Sequence, residues 1–190
     1  MLAGLILGAI QAQLSSATIR IELAPSSAKV QAQYRFRALP DSGASFVLLR
    51  IPGQSIEGLE TPKGDAVSMP TLTRVRGVLD PSGNLSIRFR VTGALERIPV
   101  PVPAVTADGR SKPVEIRLTG DVTTVDLAEA FPRLGPDEDG GHTARLANVP
   151  SLVQLPPRGA WRVLRILDWT VVVLVGASAV GWVMSRRVSP

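Results

Sequence analysis

The chain has 190 residues, 45% hydrophobic and 19% charged, with 17 Gly and 16 Pro spread between short apolar runs. This is globular composition that speaks against both disorder and a helical bundle, and it leaves one modest β-rich domain with hydrophobic ends. With no Cys and one histidine, His142, the chain cannot build a disulfide framework, a thiolate or multi-histidine metal site, a haem site or an iron–sulfur cluster by itself.

Met1 to Ile10 is an apolar run of about ten residues, too short to span a bilayer. Gln11, Gln13 and then Ser15-Ser16-Ala17 follow it, with small residues where a signal peptidase requires them. Residues 1–17 therefore read as a signal peptide or an uncleaved signal-anchor, although no Lys or Arg precedes Arg20. Either version exports the segment behind it.

From Thr18 the period is two. Ile19, Ile21 and Leu23 alternate with Arg20 and Glu22, and Val30, Ala32, Tyr34, Phe36 and Ala38 alternate with Lys29, Gln31, Gln33, Arg35 and Arg37. Such segments are half-buried strands of an antiparallel sheet. Further strands are predicted at 45–51, 71–79, 85–92, 98–105 and 114–119. Turn residues separate them at Pro40-Asp41-Ser42-Gly43, Asp80 to Asn84 and Ala107-Asp108-Gly109. About seven short strands at this spacing predict an antiparallel immunoglobulin-like β-sandwich over residues 18–150. Pro99, Pro101 and Pro103 recur at every second position of an extended segment, which marks an edge strand or a polyproline stretch.

The parity of residues 73–91 predicts a hairpin across the turn 80–84. It would bury Leu79, Val75, Leu85, Ile87, Phe89 and Val91 and set Arg76 opposite Arg88 and Arg74 opposite Arg90. Four guanidiniums in that arrangement would either meet acids such as Glu57, Glu60 or Asp65 from a neighbouring strand or dock an acidic partner surface or anionic headgroups. Asn84-Leu-Ser86 is a formal glycosylation sequon. The usage of 18 Arg against 3 Lys suggests a GC-rich bacterial gene, in which the sequon carries no meaning.

After Val122 the alternation loosens. Thr123-x-x-Asp126 before Leu127, Ala130 and Phe131 resembles a capping box and predicts two helical turns stopped by Pro132. The acidic loop 137–142, from Asp137 to His142, matches neither an EF-hand nor a zinc spacing and reads as a solvated loop. No Gly-rich phosphate loop and no H-E-x-x-H occur, carboxylates are scattered singly outside the 137–139 run, and the one histidine has no Cys nucleophile to serve. The chain is expected to be non-catalytic and without a cofactor.

Residues 151–165 read as a linker and interfacial segment. Ile166 to Ser185 then supplies about 20 apolar residues, or roughly 30 Å of helix, the length of one transmembrane span. Gly176, Ala177 and Gly181 form a small-residue face suited to close helix packing. Trp161, Trp169 and Trp182, with Arg162, Arg165, Arg186 and Arg187, suit a membrane interface. Charge follows the same division. Residues 18–150 hold 13 Arg and 3 Lys against 15 acids, whereas from Ser151 onward five Arg face Asp168 alone. That placement predicts lipid headgroups rather than nucleic acid as the anionic partner. Residues 186–190 would form a cytoplasmic tail.

The segments TIRIELAPSSAKVQAQYRFRA, FVLLRIPGQSIEGLE and LSIRFRVTG together resemble the saddle-shaped β-domain that precedes the catalytic domain in aminopeptidase N-like zinc peptidases. The resemblance covers about residues 18–105 and implies a sandwich. It implies no activity, because the catalytic domain and its zinc helix are missing.

These readings converge on a single-pass subunit of the bacterial inner membrane with a periplasmic β-domain. In that role it would be an accessory or scaffolding component of an integral-membrane complex, a respiratory or photosynthetic one by analogy. The alternative is a free-standing membrane-tethered module that binds a ligand, glycan or envelope protein.

Overall fold

The computed structural model describes residues 13–37, 44–105 and 113–159. In chain order these form β1 (Gln13–Ala24), β2 (Ser27–Arg37), β3 (Ala44–Leu49), β4 (Gln54–Glu60), β5 (Asp65–Ser68), β6 (Leu72–Gly77) and β7 (Asn84–Gly93). There follow β8 (Arg97–Pro99), β9 (Val102–Pro103), β10 (Val114–Gly120), β11 (Gly135–Pro136), β12 (His142–Leu146) and β13 (Leu152–Gln154).

Alternation decides which face of each strand is buried. Ile19, Ile21, Val30, Ala32, Ile87, Val91, Ile116 and Leu118 lie inward on one large sheet, ordered β11-β12-β10-β1-β2-β7-β4. Phe46, Leu48 and Val75 lie inward on a second, ordered β5-β6-β3-β9. The inner faces share one core, and burying each such aliphatic or aromatic side chain contributes about 1.5–3 kcal/mol. Tyr34 of β2 and Phe46 of β3 meet across it with ring centroids 4.7 Å apart, and Phe36 stands 6.1 Å from Phe46. A two-stranded ribbon of β8 and β13 closes one end with Ile98 and Val153.

The described domain is mostly β and strand-rich, consistent with a sandwich. It departs from the predicted immunoglobulin-like pattern in two ways. There are thirteen strands among the described residues, and β1 pairs in parallel with β10 from Ala17↔Val114 to Leu23↔Gly120. At the end of that ladder Gly120 adopts φ +90°, and a Cβ there would lie 2.1 Å from the Leu23 carbonyl oxygen, so only glycine fits.

The expected hairpin across 80–84 does not form. β6 pairs with β3 and β5, β7 pairs with β2 and β4, and the turn Asp80 to Asn84 carries the chain from one sheet to the other. Parity correctly marks Val75, Leu85, Ile87, Phe89 and Val91 as inward. It does not distinguish strands lying side by side from strands facing each other across a core, because both bury alternate residues.

The expected helical turns after Thr123 are replaced by irregular chain. Asp121 accepts the Thr123 amide at 3.1 Å and Asp126 accepts that of Ala128 at 3.2 Å, local bonds that compete with a helix. Phe131 and Gln154 exchange backbone bonds of 3.0 and 2.7 Å, which ties this segment to β13 instead. The proline-rich segment does supply edges. β9 borders the four-stranded sheet, and Pro99, Pro101 and Pro103 are buried rather than exposed.

The predicted span Ile166–Ser185 lies outside the described residues. So do its packing face, Gly176, Ala177 and Gly181, and the interfacial Trp161, Arg162, Arg165, Trp169, Trp182, Arg186 and Arg187. Among the described residues there is no helix, and hence none long and apolar enough to cross a membrane. The fold class is accordingly corrected, for the described residues, to a mostly-β domain in which no helix crosses a membrane. The single-pass inner-membrane placement, the bilayer and integral-membrane partners, and both membrane-based functions rested on that helix and are set aside with it.

Candidate functional site

The seven-stranded sheet turns its second face to solvent, and strand register sorts that face into rows. One row reads Arg117, Arg20, Gln31, Arg88 and Glu60 on β10, β1, β2, β7 and β4. The next reads Thr119, Glu22, Lys29, Arg90 and Glu57 on the same strands. Between these two rows lies a groove of about 560 Å³. Lys29 pairs with Glu22 at 3.5 Å, and the Thr92 hydroxyl donates to Glu57 at 3.4 Å. Among the described residues Arg20, Arg88 and Arg90 make no ion pair within 4.0 Å.

Arg117, at the end of the first row, is fully engaged. Its guanidinium meets Glu115 at 2.8 Å, Asp137 at 3.1 Å and Asp139 at 3.5 Å. The Glu115 hydrogen bond, then the Asp137 charge, holds its pKa above the ordinary arginine value. The acidic loop is thereby tied down by a cation of the sheet. Among the described residues, no group of three or more His, Cys, Asp or Glu side chains could hold a metal ion.

The four arginines singled out in the sequence fall on two different sheets. Arg88 and Arg90 face outward on β7, whereas Arg74 and Arg76 lie on β6 in the other sheet. Arg90 stands opposite Glu57, Arg88 opposite Glu60 and Arg76 opposite Asp65, while Arg74 stands opposite Val47 and Val67. The expected Arg76/Arg88 and Arg74/Arg90 oppositions therefore do not occur. Arg20 and Lys29 join Arg88 and Arg90 instead, and the alternating pattern of β1 and β2 had already marked both as outward.

Beyond these rows the same face carries fewer charges, with Thr18, Gln33 and Ser86 in one row and Ser16, Arg35 and Asn84 in the next. A second groove of about 670 Å³ lies there, walled by the connections that carry Pro62, Lys63, Val78 and Leu79. Asp80 holds its turn by accepting the amides of Ser82 at 2.9 Å and Asn84 at 2.8 Å. The Asn84 amide is the main cause of a carboxyl pKa below the usual range.

No family model matches this chain, and no curated protein sequence matches it. Among solved structures it is similar to the M1 zinc metallopeptidase of Deinococcus radiodurans, at 10% identity and a TM-score of 0.35, over 77% of this chain and 40% of that one. It is also similar to aminopeptidase A of Legionella pneumophila, at 10% identity and a TM-score of 0.35, over 77% of this chain and 21% of that one. The chain thus spans well under half the length of the proteins it resembles. It bears a weak, partial, fold-level resemblance to the N-terminal β-domain of M1 zinc aminopeptidases, without their catalytic domain.

Proposed function

We propose that this chain is a non-catalytic protein-binding β-domain that docks an acidic, extended polypeptide segment on the outward face of its seven-stranded sheet. The supporting observation is the cluster of Arg20, Arg88 and Arg90, without an ion pair among the described residues, along a groove of about 560 Å³. Guanidiniums take carboxylates in a planar two-pronged geometry, and strands spaced about 4.8 Å apart present them at regular intervals. Glu57 and Glu60 at the β4 side set a boundary that repels an acidic segment and so fixes its position.

Exposed ion pairs are worth about 0.2–1 kcal/mol each, so binding rests on several acting together and weakens with salt. A peptide rich in Asp and Glu, titrated into the isotopically labelled chain, should shift the amides of Arg20, Gln31, Arg88 and Arg90. The Arg20→Glu/Arg88→Gln double variant should lower affinity by about tenfold, the equivalent of about 1.4 kcal/mol. Neither change sets a new like charge opposite an existing one, since Arg20 neighbours Arg117 and Gln31. Shifts confined to Arg74 and Arg76, or equal binding of a Lys-rich peptide, would sink the proposal.

A further inference from the structure

The second groove supports a separate assignment, independent of the acidic-segment reading. We infer that it is a binding site for a small polyhydroxylated carboxylate, a sugar acid. Its floor is the part of the sheet face where the uncharged Ser16, Thr18, Gln33 and Ser86 lie close together on β1, β2 and β7. Hydroxyls and carboxamides both donate and accept, as do the hydroxyls of a sugar, whereas an inorganic anion would leave their acceptors unused.

Three observations make this a site rather than a surface dent. The volume of about 670 Å³ lies within the range of small-molecule pockets. The Ser86 Oγ is buried and has no hydrogen-bond partner, although Ser86 lines the groove. A buried hydroxyl without a partner is unfavourable, and rotation about the Ser86 χ1 would turn it into the groove to meet a ligand hydroxyl. Lys63, on the wall, holds φ +46°, a left-handed conformation that non-glycine residues adopt rarely and mostly where the surrounding structure imposes it.

Charge then selects among polyols. Arg35 and Lys63 both line the groove and supply two cations. Asp80 is the one acid lining it, and its Oδ1 already accepts the Ser82 and Asn84 backbone amides while Oδ2 takes the Asn84 carboxamide at 3.4 Å. A carboxylate therefore fits beside Arg35 and Lys63. Pro62, Val78 and Leu79 offer the apolar wall that covers the C–H face of a ring, and Val78 is 42% exposed without a ligand.

Titration with D-glucuronate, followed by amide shifts, tests the assignment. Saturable shifts are expected at Gln33, Arg35, Lys63 and Ser86, with D-glucose binding at least tenfold more weakly. Arg35→Gln should reduce glucuronate affinity about tenfold. Lys63→Asn, which tolerates the positive φ, should do the same with an unchanged thermal midpoint, and Ser86→Ala should lower affinity severalfold. An oligomer of uronate distinguishes the source: tighter binding than the monomer assigns a polymer residue, and equal binding assigns the free acid. Absence of saturable shifts at these four amides, equal affinity for glucose, or full affinity in both cation variants would overturn the inference. Because Arg20 and Arg88 lie outside this groove, the Arg20→Glu/Arg88→Gln variant should bind glucuronate normally, which keeps this result separable from the acidic-segment test.

Discussion

Tyr34→Phe should lower the unfolding free energy by about 1–3 kcal/mol, and native Tyr34 should stay un-ionised until the domain unfolds. The phenol is 1% exposed and packs in the core with its ring centroid 6.3 Å from that of Phe36 and 4.7 Å from that of Phe46. Its hydroxyl donates to the Pro101 carbonyl, which fastens β2 to the segment between β8 and β9. Removing that oxygen leaves a buried carbonyl without its donor. Tyr34→Ala should cost about 3–5 kcal/mol, because the aromatic volume is lost as well. Burial also pushes the phenol pKa far above its ordinary value, since the phenolate would have to form without water. The sign follows. A folded-state pKa raised above the unfolded value of about 10 leaves stability intact below pH 10 and removes about 1.4 kcal/mol for each further pH unit. Tyr34 is the chain's one tyrosine, so phenolate absorbance reports it without ambiguity. Absorbance and backbone circular dichroism should change together in one alkaline transition. A phenolate that appeared near pH 10 in a domain still folded would disprove the burial argument.

How far the sequence led depends on which physical rule each element obeys. β1, β2 and β7 alternate strictly because one face meets the core and the other meets water, and their inward residues are legible by inspection. β4 and β5 gave no such pattern. Every residue of β5 is exposed, and β4 carries an irregularity between Glu57 and Glu60 with Gly58 at φ +59°, so these edges lack the contrast on which alternation depends. The parallel β1–β10 pair joins segments distant in the chain, and no local pattern encodes it. The apolar Ile166–Ser185 run predicts a bilayer span, whereas the described domain is built from strands alone.

The candidate site was half legible for the same reason. Parity shows that Arg20, Lys29, Arg88 and Arg90 face outward, but their gathering into rows depends on register across β1, β2 and β7, and register is set by long-range pairing. The hairpin expected over 73–91 sets Arg74 and Arg76 beside Arg88 and Arg90 in place of Arg20 and Lys29. The second groove was less accessible still. Its floor residues are ordinary outward Ser, Thr and Gln, and its wall comes from connections whose course depends on how both sheets pack.

Residues 13–17 open β1 and contribute to both of its ladders. Leu14 is 2% exposed opposite Phe36, and Ala17 is 2% exposed opposite Tyr34 and beside Val114. The Ala17 amide donates to the Pro113 carbonyl at 2.9 Å, which starts the parallel ladder to β10. Leu14→Ala should therefore cost about 2–5 kcal/mol, the range for emptying a buried leucine site. Gln13→Ala, at an exposed position one residue away, should stay within about 0.5 kcal/mol. A chain that begins at Thr18 loses Leu14, Ala17 and the first rungs of two ladders together. Against a typical domain stability of about 5–15 kcal/mol, that loss should leave a substantial unfolded fraction at ambient temperature. Chemical denaturation of the three variants beside the parent checks this. Were the Thr18 chain to unfold at the parent midpoint, residues 13–17 would lie outside the cooperative fold and β1 would begin at Thr18.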